Sequence, residues 1–171
     1  MLIERIVNSY QEHSVDIHMT LNHEFATDQW QSDLSTLSNK VNITRNQYPE
    51  KGRFYSIKLG LSRIKECDYC FIHNVDNPIS SATIKALIAN KNDKGYTVPS
   101  FNDRNGHPIL ISKKIIADVL DWDDDDIINW KDFLGAYPKK IVNTNDANIL
   151  VNLNTPMEYE GYLQVDGAYL H

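Results

Sequence analysis

The chain has 171 residues, of which 42% are hydrophobic and 23% charged, and a formal net charge of −6. That length allows one domain with a hydrophobic core, and the composition excludes a disordered or fibrous protein. The acid excess and scattered Lys and Arg argue against a nucleic-acid partner, and no apolar run spans a membrane or resembles a secretory signal, so the expected location is the cytoplasm.

Leu2, Ile3, Ile6, Val7 and Tyr10 recur at helical spacing, predicting an amphipathic helix over residues 1 to about 12. Val15 to Thr20 reads as a strand, the polar stretch Asn22 to Lys40 mixes helix and loop signals, and Val41 to Thr44 is a weak strand. Phe54, Ile57, Leu61 and Ile64 mark a core-facing helix that opens just after Gly52. Cys67 and Cys70 form a lone C-x-x-C, half of a zinc or redox motif at most, and read better as two reduced structural cysteines. Tyr69 to Val75 is an apolar strand, followed by a helix capped at Ser80 or Ser81 that buries Ile84, Leu87 and Ile88.

Tyr96 to Pro99 and His107 to Ile111 read as strands, and Ser112 as the cap of a helix carrying Ile115, Ile116, Val119 and Leu120. The acidic run Asp123 to Asp126 matches no calcium loop and reads as a solvated lead into a short helix over 127–136. Ile141 and Val142 suggest a strand and Ile149 to Leu153 the last one. Thr155, Pro156 and Glu158 then form a capping box with proline at the first helical position. Alternating strands and helices predict one α/β domain with a mostly parallel sheet covered by helices on both faces.

In such a sheet ligands sit beyond the carboxyl ends of the strands. Two polar segments fall there: Asn74-Val75-Asp76-Asn77-Pro78 and Asn152-Leu153-Asn154-Thr155-Pro156. A carboxylate converging with carboxamides would suit Mg²⁺, which takes oxygen ligands and bridges to substrate phosphates. Taken alone, Asp76 reads as readily as a turn residue and Asn154 as part of a helix cap.

Together, Gly52 to Gly60 (GRFYSIKLG), Asp76-Asn77-Pro78, Val98-Pro99, Gly106-His107-Pro108, Lys131 to Leu134 (KDFL) and Asn152 to Pro156 follow the order and rough spacing of the MobA-like nucleotidyltransferases, which this chain resembles over nearly its whole length. The resemblance implies a three-layer αβα, Rossmann-like fold of the nucleotide-diphospho-sugar transferase (GT-A) type. It implies transfer of a nucleoside monophosphate from a nucleoside triphosphate, CTP or GTP, to a phosphorylated small acceptor such as a molybdopterin-type cofactor or a sugar phosphate. Asp76 and Asn154 match the catalytic metal site, with Asn152 beside them and Mg²⁺ as the implied ion. Gly52, Ser56 and Lys58 match a nucleotide-lining segment, and Gly106, His107 and Pro108 an acceptor-side loop. On the residues alone, Lys58 is equally an exposed helix lysine and His107 a structural strand-edge histidine.

Members of that family also carry an initial strand and a glycine-rich loop of the type LAAGxSxRMGxxK, which this sequence does not contain. The expectation is a sheet without its first strand: either Met1 is an internal methionine with that strand and loop ahead of it, the favoured reading, or the shortened chain closes its sheet differently, for instance through another subunit. The alternative to an active transferase is a catalytically impaired remnant that retains a nucleotide or metal pocket for binding or assembly.

Overall fold

The structure, a computed structural model, describes residues 2–25, 31–123 and 128–168. Helix α1 (Leu2–Gln11) buries the predicted stripe of Leu2, Ile6, Val7 and Tyr10. Strand β1 (His18–Asn22), helix α2 (Gln31–Ser38) and strand β2 (Asn42–Asn46) follow, each strand starting slightly later than its apolar run suggests. Helix α3 (Gly52–Leu61) leads to β3 (Tyr69–Ile72) and α4 (Ser81–Ala89). Ser80 caps α4 as expected, its hydroxyl accepting from the Thr83 amide.

The next elements are β4 (Tyr96–Phe101), the two-residue β5 (Arg104–Asn105), β6 (Ile109–Ser112) and α5 (Lys113–Leu120). Ser112 stands at the cap position of α5, but its hydroxyl makes no cap bond and is buried without a partner. Helix α6 (Trp130–Leu134), strand β7 (Lys139–Asn143) and helix α7 (Pro156–Ala168) complete the chain. The predicted box at α7 is present: the Thr155 amide donates to Glu158 and the Glu158 amide to the Thr155 hydroxyl. Of the acidic run, residues 124–126 lie outside the described part.

Two expectations about strands need correction. The segment 149–153 is not a strand. A 3₁₀ turn, Ala147–Leu150, takes its place, started by the Asp146 carboxylate accepting from the Asn148 amide, and Ile149 enters the core rather than a sheet. The sheet is also mixed rather than mostly parallel. β1 pairs parallel with β2, and β4 with β7, whereas β6 runs antiparallel to both β3 and β4. The cause is local: Asn102 and Asp103, both at positive φ, make a tight reversal from β4 into β5. No crossover helix separates β4 from β6, so the chain must return antiparallel.

The architecture is nevertheless α/β in three layers. On one face Phe54 and Leu61 of α3 join Ile115, Ile116 and Val119 of α5 over Cys70, Ile72 and Ile111. On the other, Leu2, Ile6 and Tyr10 of α1 and Ile84 of α4 pack with Phe71. The strands fall into two sheets, β1-β2 and β3-β6-β4 with β5 and β7 alongside β4. Helices α1 and α3 bridge them from opposite faces: Val7 packs with Met19 and Ile43 beyond the first sheet's side, and Gly60 of α3 lies against Thr20 of β1. The cysteines are free thiols packed at the core, and burial pushes Cys70 up to about 12. Among the described residues no helix is long and apolar enough to cross a membrane.

Candidate functional site

A cavity of about 910 Å³ opens between the start of α3, the Asn105–Ile109 segment and α6. Of the sequence-predicted residues, Gly52, Lys58, Gly106 and His107 line it. Its wall carries five cations, Lys51, Arg53, Lys58, Lys131 and Lys139, against two carboxylates, Glu50 and Asp123, so it is locally basic in an acidic chain. Such a field concentrates anions where the rest of the surface repels them.

The α3 wall exists because of Gly52. Its φ of +82° is a conformation side chains rarely adopt, and the turn it makes starts the helix at the cavity edge. No side chain caps this helix start. Ser56 is turned to structural use, accepting from the Asn46 amide group and donating to the Gly52 carbonyl. Lys58 donates to the Trp122 carbonyl, tying α3 to the segment after α5.

The Gly106–Pro108 wall is fixed by contact with the 3₁₀ turn. The His107 amide donates to the Ile149 carbonyl, and a Cβ on Gly106 would lie 2.1 Å from that same oxygen. Pro108 is buried behind the wall. Burial lowers the His107 pKa, Arg53 lowers it further, and the negative charge of Asp76 opposes both. The His107 Nδ1 is buried without a partner, as is the indole nitrogen of Trp130 in the α6 wall.

The fold brings the two polar segments of the sequence together. The Leu153 amide donates to the Asp76 carbonyl at 3.0 Å, and the buried Asn77 donates to the Val151 carbonyl and to the Asn152 side-chain oxygen, each at 2.8 Å. Asn152 and Asn154 thus flank the residue bonded to Asp76, with Asn152 already serving as a brace. The Asp76 carboxylate has no hydrogen bond or ion pair among the described residues, although its charge is felt by both Arg53 and His107. Carboxylate and carboxamide oxygens are the donor types a hard divalent cation takes.

Arg53, Tyr96, Trp130 and Lys139 line the cavity without having been singled out in the sequence. Arg53 alone had a signal, as a cation beside the recognised Gly52. The others reach the cavity only through the packing of α6, β4 and β7 around it.

The family model of the MobA-like NTP transferase domain matches residues 1–140. The molybdenum cofactor cytidylyltransferase of Escherichia coli is 25% identical over 124 residues, 71% of this chain, and the chain spans 63% of that relative's length. Among solved structures, a nucleotidyl transferase from Methanothermobacter superposes with a TM-score of 0.73 at 20% identity, covering 99% of this chain and 81% of that one. A Mycobacterium tuberculosis protein crystallised with manganese gives 0.73 at 15% identity, covering 96% and 86%. These likenesses at low identity carry the fold.

Proposed function

The chain belongs to the MobA-like NTP transferase family, and from that premise we propose that it transfers a nucleoside monophosphate from a nucleoside triphosphate to a phosphorylated small acceptor, releasing pyrophosphate. The observation that carries this reading is a cation-lined cavity large enough for a nucleotide, with the unpaired Asp76 carboxylate within electrostatic reach of its Arg53 and His107. CTP is the favoured donor because the Escherichia coli relative is a cytidylyltransferase, with GTP the second candidate. A molybdopterin-type or sugar phosphate is the acceptor class.

In this reading a phosphate oxygen of the acceptor attacks the α-phosphorus. The new P–O bond forms as the bond to the bridging oxygen breaks, and the electron pair leaves with pyrophosphate. The reaction asks for alignment and charge neutralisation more than for proton transfer, so no general base is assigned. Gly52 lets the nucleotide approach the start of α3, where no side chain caps the helix and its dipole favours phosphate. Ser56 and Lys58 hold that wall in place, while Gly106, His107 and Pro108 form the acceptor side. Asp76 and Asn154 would hold a divalent ion, with Asn152 adjacent through its remaining lone pair. Bound there, Mg²⁺ would neutralise charge developing on the phosphates.

A second reading rests on a specific observation. β1 and β3 are half-exposed along their whole lengths although helices cover both faces. Among the described residues no strand pairing joins the β1-β2 sheet to the other, and a chain so divided could bind nucleotide or metal without turning it over.

Thermal unfolding with Mg²⁺ and each of CTP, GTP, UTP and ATP tests both, since a ligand that binds only the native state raises the midpoint. The expected outcome is a shift with CTP or GTP that Asp76→Ala abolishes. Pyrophosphate release with a phosphomonoester present separates the transferase from the binder. A cooperatively folded chain that shifts with no nucleotide overturns the transferase reading.

A further inference from the structure

Arg53, the second residue of α3, departs from the pattern of a helix start that recognises phosphate through backbone alone. Its side chain is open to solvent inside the cavity, yet the surrounding protein desolvates the guanidinium enough to lower its pKa, with the charge of Asp76 acting in the opposite sense. It has no hydrogen bond or ion pair among the described residues. An exposed guanidinium on a cavity wall with no protein partner is available to an anionic ligand.

Its surroundings point to what that ligand is. The same charge depresses His107 and is felt by Asp76's side of the site, so Arg53 lies within electrostatic reach of both. Directly after it, Phe54 packs against Trp130 with ring centroids 6.0 Å apart. Trp130 is only 5% exposed, and its indole N–H lacks an acceptor in the same cavity wall. The wall therefore presents a planar cation, the start of a ten-residue helix without a side-chain cap, and an unmatched buried donor, with five cations against two carboxylates. Guanidinium groups match the oxygens of phosphate in a two-pronged fashion that lysine does not.

We propose that Arg53 is the residue that grips phosphoryl oxygens in this cavity, making the α3–α6 wall a dedicated phosphate subsite. This deepens the nucleotidyl-transfer reading, on which it rests for the identity of the phosphate's carrier. The carrier is either the polyphosphate of the donor or the phosphomonoester of the acceptor.

The test is calorimetric binding of inorganic pyrophosphate and, separately, of glycerol 3-phosphate to the wild-type chain, Arg53→Gln and Arg53→Lys, each first shown to unfold at the wild-type midpoint. The expected result is binding of one probe that weakens about tenfold or more in Arg53→Gln and is only partly restored by lysine, with a shallower salt dependence in the glutamine variant. Loss confined to pyrophosphate assigns the donor side; loss confined to glycerol 3-phosphate assigns the acceptor side. Wild-type affinity for both probes in Arg53→Gln overturns the inference, as does a wild-type chain that binds neither. Binding of CTP by a wild-type chain whose Arg53 variants are unaffected leaves the transferase reading standing. An Arg53-dependent phosphate site with no nucleotide binding leaves the subsite and removes the transferase.

Discussion

His73, immediately after β3, lies with its Nδ1 3.1 Å from the Tyr10 hydroxyl, while its buried Nε2 has no partner in either tautomer. Burial, helped by nearby His107, lowers its pKa from 6.5 to about 4. The folded state therefore keeps His73 neutral where the unfolded chain would protonate it. This contribution to stability is complete above about pH 6.5 and is lost as the pH falls toward 4, by roughly 3 kcal/mol in all. A thermal midpoint that falls across that window in the wild-type chain, and falls less in His73→Asn, is the expected result; parallel curves would refute it. At this scale the sequence was a partial guide. Gly52 and His107 were picked from it and line one cavity, Asp76 lies within electrostatic reach of His107 there, and Asn152, read as a metal ligand, also has the structural task of bracing Asn77.

Element boundaries followed the sequence wherever the deciding signal was short-range. Ser80 with Thr83 and Thr155 with Glu158 are contacts three residues apart, so the caps of α4 and α7 could be read directly. The reversal through Asn102 and Asp103 had an equally local signal, two residues that tolerate positive φ, but it was not weighed against the alternation of strands and helices. The 3₁₀ turn at 147–150 was harder, because its apolar residues have the composition of a strand and only their packing distinguishes the two. That turn also sets the acceptor-side wall through Gly106. Gly106→Ala would drive a Cβ into the Ile149 carbonyl, a backbone atom with no rotamer to escape by. The expected cost is on the order of 2 kcal/mol or more by denaturant unfolding, together with weaker ligand binding in the cavity. A variant as stable as the wild type would show that the 3₁₀ turn is not held against this wall.

Across the whole molecule the division of the sheet is the feature with the widest consequences. β4 is flanked by β6 and β7, so its amides are paired or covered, while β1 and β3 each end a sheet. Helices α1 and α3 link the two sheets by side-chain packing, which does not satisfy the backbone groups at a sheet's edge. Hydrogen exchange should therefore be slowest at Thr97, Val98 and Ser100 and faster at the outward amides of β1 and β3. Equal protection of all three strands would mean that the seam is closed in solution. The sequence by itself determined most of the helices, the caps of α4 and α7, the α/β class, and the family, because these depend on residues a few positions apart or on an ordered set of short motifs. Tertiary structure alone decided how the strands divide between two sheets and the electrostatic proximity of Arg53, Asp76 and His107. Those outcomes rest on contacts such as Asn77 with Asn152, 75 residues apart, whose energy depends on how the intervening chain packs rather than on the identity of either residue.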